Sequence, residues 1–285
     1  MTVSIAVLSE RAVLAVEGAE ARDFLHSLLT CDLLPLETGE AAYGALLTPQ
    51  GKILFDLFAV ATERGFLLDG AASAADDLLK RLMMYRLRRK IDIARRPELA
   101  VAVAWGSDRP PALDGLVYRD PRAGELGYRV IATPAVLEEV ATATADAYHA
   151  HRVRLGIPDS DRDIGTGALF PHEADLDQLG GVSFTKGCFV GQEVVSRMEH
   201  RGTARSRIVP VRFEAAVASG TEIAAGGRSL GTVLSTADGR GLALMRLDRA
   251  EAALSNGDAL MAGETPVAIE KPAWARFALP GAEGA

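Results

Sequence analysis

Hydrophobic and polar positions along this chain switch repeatedly between a period of two and a period near 3.6. Val3 to Leu8 and Val13 to Val16 are expected strands, whereas Ala19 to Leu29 sets Phe24, Leu25, Leu28 and Leu29 on one stripe at helical spacing. Ala41 to Leu47 and Ile53 to Val60 flank Thr48-Pro49-Gln50-Gly51, where proline second and glycine fourth suit a type I turn, so a hairpin is predicted. A strand at Phe66 to Leu68, a helix from about Ala72 to Arg88, and strands at Ile91 to Ala94 and Leu99 to Ala104 continue the mixed pattern. Past Pro110-Pro111 the pattern predicts a strand at Tyr128 to Ile131. One long helix from Pro134 to Leu155 follows, with proline in its opening turn and Gly156-Ile157-Pro158 ending it.

Residues 158–187 are rich in Gly, Pro and Asp and show little period, the mark of a long irregular segment that reads as functional. After Arg207 only short runs remain, at Ile208 to Phe213, Thr221 to Ala224, Gly231 to Ser235, Leu242 to Leu247 and Val267 to Glu270. Glycines punctuate them, which predicts a small β-barrel. The expected class is α+β in three parts: an N-terminal α+β domain over 1–110, a second α+β domain over 111–205 and the barrel over 206–285.

Length agrees, since 285 residues suit two or three domains of about 100 to 150 each. With 48% apolar and 24% charged residues, disorder and coiled coil are excluded. The apolar runs fall short of the roughly 20 residues a membrane span needs, so no membrane partner is expected. The first residues lack a basic region and a cleavage site, which leads to an expectation of a cytoplasmic protein. A net charge of -7 argues against strong direct nucleic-acid binding. Cys31 and Cys188 are the two cysteines, too few for a disulfide framework or for a zinc or cluster site built of local thiolates.

Lys186-Gly187-Cys188-Phe189-Val190-Gly191-Gln192-Glu193 is the most unusual stretch. A helical stripe resumes at Val194, Val195 and Met198, which puts Cys188 just before a helix N-terminus. There the helix dipole and the Lys186 ammonium would both favour thiolate. The competing reading makes Cys188 a small buried hydrophobe and the glycines a mere turn; Cys31 takes that packing reading outright. His172 and Glu173, followed by Asp175 and Asp177, lack a second histidine four residues on, and read as a solvated acidic loop. Arg197, Arg201 and Arg205, with His200 and Arg207 among them, form a basic segment able to hold an anion or an acidic partner, or to serve only as a solvated face. Lys80 to Lys90 alternates basic and apolar residues, first of all an amphipathic helix with snorkelling side chains. RNA binding there is the minor reading.

Lys186 to Glu193 matches the KGC(F/Y)xGQE signature, and the match extends through Arg154 to Pro158, Phe170 to Glu173, Gly181 to Thr185, Ser196 to Gly202, Leu46 to Lys52 and the Gly18 to Asp32 region. Over nearly its whole length the chain resembles the YgfZ family. That resemblance implies the fold of the glycine-cleavage T-protein, a folate-dependent aminomethyltransferase: a ring of three domains around a tetrahydrofolate channel. It implies action in iron-sulfur cluster assembly or repair, effects on cluster enzymes including tRNA-modifying ones, and iron-sulfur carrier or client proteins as partners. A mitochondrial relative works with A-type carriers. By the same resemblance Lys186 and Cys188 are the critical residues, with Gly187, Phe189, Gly191, Gln192 and Glu193 as motif support. Glu173 falls at the T-protein's pterin-binding glutamate and Asp56 at its catalytic aspartate.

Phe55 stands where the T-protein has a first aspartate, and the N-terminal segment that helps build the methylamine site has no counterpart. Both departures argue against aminomethyl transfer. The expectation is a monomeric folate-binding cluster factor, not a classical enzyme, in which Cys188 either supplies one ligand to a shared cluster or attacks a damaged one as thiolate. A tetrahydrofolate-dependent aminomethyltransferase using Asp56 and a tRNA-binding accessory protein are the alternatives.

Overall fold

In chain order the elements of this computed structural model, which describes residues 3–202 and 204–281, begin with β1 (Ser4–Val7), β2 (Arg11–Glu17), α1 (Ala21–Leu28), β3 (Ala41–Leu47), β4 (Ile53–Thr62) and β5 (Gly65–Ala71). Then come α2 (Ala75–Arg86), β6 (Asp92–Arg95), β7 (Ala100–Trp105), β8 (Leu116–Arg119), β9 (Tyr128–Ala132), α3 (Pro134–Val140), α4 (Ala145–Arg154) and α5 (Gln192–Arg201). The C-terminal part holds β10 (Ser206–Phe213), β11 (Glu222–Ala225), β12 (Arg228–Ala237), β13 (Arg240–Arg246), α6 (Leu247–Ser255), β14 (Met261–Ala262) and β15 (Thr265–Ile269).

Strands β3-β4-β5-β2-β6 form a five-stranded antiparallel sheet. Because side chains alternate across a strand, β3 sends Leu46 to one face and Tyr43, Ala45 and Leu47 to the other. The Leu46 face is covered by α1, through Phe24, Leu25 and Leu28, and by α2, through Leu78 and Leu82. The opposite face meets Val101, Tyr118 and Ile131 of a second sheet, ordered β1-β7-β9-β8. Leu169, Leu176, Val182 and Phe189 of the irregular segment pack into that same core, as do Ile208 and Leu242 of the third body. That third body is a closed barrel, β10-β13-β12-β11-β14-β15, filled by Val209, Val211, Val233 and Ala243.

The predicted hairpin is in place, with Tyr43 opposite Phe58 and the Gly51 N–H returning to the Thr48 carbonyl at 2.9 Å. The expected helix over Pro134 to Leu155 is instead two. Ala141 turns extended, with φ -63° and ψ 126°, and Thr144 caps α4 by accepting the Ala147 N–H at 3.2 Å. Between them Thr142 takes the Ile5 N–H, so the break pins β1. Strands β1 and β7, both inside the expected 1–110 segment, sit in the second sheet beside β8 and β9. Pairing there is between residues about 100 apart in sequence, which local periodicity does not reveal.

Candidate functional site around the Cys188 loop

Residues 181–191 cross from the end of α1 to the start of α5. Thr30 is buried at their root: its Oγ1 donates to the Gly181 carbonyl and accepts the Ala45 N–H at 2.8 Å, while its own carbonyl takes the Ser183 N–H at 2.9 Å. Phe189 is the second anchor, buried in the inter-sheet core. Between these anchors Cys188 is exposed, and Gly187, at φ +100°, leaves open space where a Cβ would stand.

Lys186 is turned away from the role that sequence proximity suggested. Its Nζ donates to the carbonyls of His26 and, at 2.6 Å, Leu29, the free acceptors at the C-terminal end of α1. Burial holds its ammonium below the usual lysine pKa, opposed by the neighbouring Cys31 and Asp32. It also stands 5.4 Å from the Phe189 ring centroid. Cys31 lies near this cation, yet burial pushes its thiol up to about 12 despite Lys186. Cys31 is an inert packing residue: a Cβ on Gly44 would come 2.5 Å from its sulfur.

Gly191 closes the loop at φ +80° as the residue before α5, and a Cβ on it would lie 2.6 Å from the Thr48 carbonyl and 3.0 Å from the Gly51 Cα. Two sequence motifs, one around Pro49 and one around Cys188, therefore meet backbone to backbone, which requires glycine. Gln192 opens α5 by returning its N–H to the Phe189 carbonyl at 3.2 Å. Glu193 is exposed in the first turn, where a carboxylate complements the helix dipole, and faces Arg197 at 4.0 Å. Arg197 and Arg201 lie in the open on α5, whereas Arg205 lines a cavity of about 410 Å³ together with Glu199, Asp248 and Glu251. In that cavity Arg207 is already bound to Asp175 and Asp177, Asp248 is bound to Arg246, and Glu199 faces His172.

The expected solvated acidic loop is in fact buried. His172 and Asp175 are 2% and 0% exposed, and His172 Nε2 lies 3.0 Å from Glu199. Burial drives the Asp175 carboxyl well above its usual range, with Arg207 opposing. His172, Asp177 and Glu199 bring ligand atoms within 4.8 Å of one another, yet a cation there would compete with Arg207, which holds both Asp177 oxygens at 2.8–2.9 Å. The cluster is a joint between the irregular segment and the barrel.

Asp56 and Glu173 do not share a pocket. Asp56 is buried and accepts hydrogen bonds from the Tyr43 hydroxyl at 3.0 Å and the Ser160 hydroxyl at 2.9 Å. Burial raises its pKa, with Arg11 opposing. The cleft beside it measures about 20 Å³. Glu173 turns one carboxylate oxygen back to the Phe170 N–H at 2.9 Å.

Sequence reasoning missed a further buried group. Asp69 of β5 accepts from Arg11 at 2.7 Å, from Arg129 at 2.5 and 2.9 Å and from Tyr118 at 3.2 Å, joining the two sheets. Arg129, Arg122 and Arg11 surround the Phe58 ring at 4.1, 4.8 and 5.7 Å. These residues are scattered along the sequence, and no local pattern groups them.

Residues 205–277 match the family model "CAF17, C-terminal beta-barrel domain". The iron-sulfur cluster assembly factor IBA57, mitochondrial, of Homo sapiens is 33% identical over 272 residues, covering 84% of this chain and 76% of that protein. The chain belongs to the IBA57 family. The Mus musculus IBA57 gives the same identity and coverage, and the IBA57 homologue of Chaetomium globosum is 33% identical over 72% of this chain and 55% of its own length. These IBA57 relatives are mitochondrial by name, which overturns the cytoplasmic expectation. Aminomethyltransferase T of the glycine cleavage system from Bartonella henselae superposes with a TM-score of 0.77 over 96% of this chain and 86% of its own, at 17% identity. The expected aminomethyltransferase-like fold with a C-terminal β-barrel is therefore the observed one.

Proposed function

We propose that this protein is an iron-sulfur cluster assembly factor in which Cys188 presents a single thiolate to a cluster held jointly with a partner. The observation that carries this reading is that Cys188 is exposed beside an open Gly187, on a loop fixed at both ends by Lys186, Thr30 and Phe189. A lone thiolate cannot enclose a cluster, so the remaining ligands come from the cargo's carrier or client protein. On ligation the thiol releases its proton to water and the sulfur donates its electron pair to iron. The open flank at Gly187 removes side-chain bulk from the approach of that partner. The names of the IBA57 relatives support the same class of activity.

Folate is the point on which the fold and the residues disagree. The aminomethyltransferase fold supports it, but the residues as they stand do not fit a pterin. The cleft at Asp56 has about 20 Å³, against the several hundred a ligand pocket needs, and one Glu173 oxygen is taken by its own backbone turn. Calorimetry with tetrahydrofolate at micromolar protein is expected to give no heat of binding, and a heat lost in Glu173→Ala would restore it. Effects on tRNA-modifying enzymes would follow indirectly, through their clusters. The functional test is the activity of several cluster enzymes in a strain lacking the gene and complemented with Cys188→Ala. Activities equal to those with wild type would exclude the proposed role.

A further inference from the structure

The end of α2 carries a surface that the Cys188 loop does not use. Met83, Met84 and Leu87 are 43%, 67% and 83% exposed, among the most exposed large apolar residues described. Their spacing of three and four places them on one face, opposite the buried Leu78 and Leu82. Residues 78–91 hold six basic side chains and no acidic one, in a chain whose net charge is -7. Arg81, Arg88 and Lys90 have no ion-pair partner among the described residues; Asp76 and Asp77 lie at the far end of α2, Glu20 accepts the Lys90 N–H, and Asp92 follows the segment without pairing to it. The expectation of snorkelling stems over a buried stripe therefore holds for one face only. The other face is apolar and uncovered.

Leu87 adds a second observation. It follows the last helical residue at φ +51° and ψ -114°, a backbone conformation that a bulky side chain rarely adopts and glycine adopts freely. A strained leucine at the most exposed apolar position gains nothing for the fold.

We infer that this tip is a peripheral docking site for an anionic membrane surface. Charge complementarity selects the occupant: a basic rim on an acidic protein favours the orientation that points α2 at a negative leaflet. The apolar side chains protrude from a helix end and line no groove, so the partner must yield to them, as the boundary between headgroups and acyl chains does. RNA is disfavoured because the segment has one aromatic, Tyr85, and that ring is half-buried against the core, so no row of stacking faces is offered. None of the helices among the described residues is long and apolar enough to cross a membrane.

Co-sedimentation of the full chain with phosphatidylcholine vesicles, with and without phosphatidylglycerol, tests this. Binding is expected only to the anionic vesicles, falling at least tenfold in Met84→Asp and in Arg88→Ala/Lys90→Ala, and weakening with salt. Leu87→Gly guards against misfolding: it relieves the backbone strain, so its melting temperature should hold or rise while vesicle binding falls. Wild type that ignores anionic vesicles, or Leu87→Gly that binds them as well as wild type, overturns the inference. A tRNA gel shift lost in Arg88→Ala/Lys90→Ala, without vesicle binding, would reassign the tip to nucleic acid.

Discussion

Replacing Lys186 by methionine separates two accounts of the signature lysine. Methionine keeps an aliphatic stem beside Phe189 but leaves the carbonyls of His26 and Leu29 without the ammonium that now caps them. A hydrogen bond to a charged group is worth about 1.5–3 kcal/mol net, and a cation at a helix C-terminus about 0.3–1 kcal/mol. Lys186 is only half-buried, so water recovers part of both contributions. A loss of about 2 kcal/mol is expected, which for a chain of this size lowers the melting temperature by roughly 3 °C. Urea unfolding measures the loss, and alkylation of Cys188 against pH reads the sulfur directly. If Lys186 is a clamp, stability falls, protease cuts the 181–191 loop faster, and the pH midpoint of Cys188 alkylation stays in place, with Lys186→Arg restoring part of the stability. Unchanged stability together with a midpoint shifted upward would refute the clamp and return Lys186 to the role of a thiolate-stabilising cation.

Gly191→Ala combines a positive φ with a Cβ only 2.6 Å from the Thr48 carbonyl, so a loss of about 2–4 kcal/mol is expected in urea unfolding, and a neutral result would mean that the two motifs do not touch. Asp69→Asn leaves two buried guanidiniums short of a counter-charge and should cost about 3–5 kcal/mol; a loss under about 1 kcal/mol would show that the network is solvated. Asp56 has its pKa raised by burial, so its contribution to stability is fully present below the ordinary carboxyl pKa near 3.9 and is lost as pH rises through the raised folded value. The stability of wild type relative to Asp56→Asn should therefore fall as pH rises across that window, and a difference that grows with pH would mean that the carboxylate is ionised in the fold.

What the sequence disclosed follows from what is local. The β3–β4 hairpin, α1 and the barrel strands were legible because turn chemistry and hydrophobic period act over a few residues. The break between α3 and α4 was not, since it is set by Thr142 reaching back to Ile5. The KGCFVGQE motif marked the loop on which Cys188 is exposed, but its spacing did not show where Lys186 points: two residues of separation say nothing of a side chain that turns toward a helix end more than 150 residues upstream. The residues around Asp69 stayed hidden because they are scattered along the sequence and the constellation exists only after two sheets pack. For the same reason His172 and Asp175 read as solvated until the barrel's Arg207 covered them.

The central claim, that Cys188 supplies a ligand to a shared cluster, is tested most directly by visible circular dichroism of this protein mixed with a cluster-loaded A-type carrier. Wild type and Cys31→Ser should perturb the iron-sulfur bands and co-elute with iron, because Cys31 is buried with its thiol at a pKa of about 12. Cys188→Ser should leave the carrier's spectrum unchanged, since a hydroxyl is not a soft ligand at neutral pH. Perturbation by Cys188→Ser equal to that of wild type, or its loss in Cys31→Ser alone, would contradict the account.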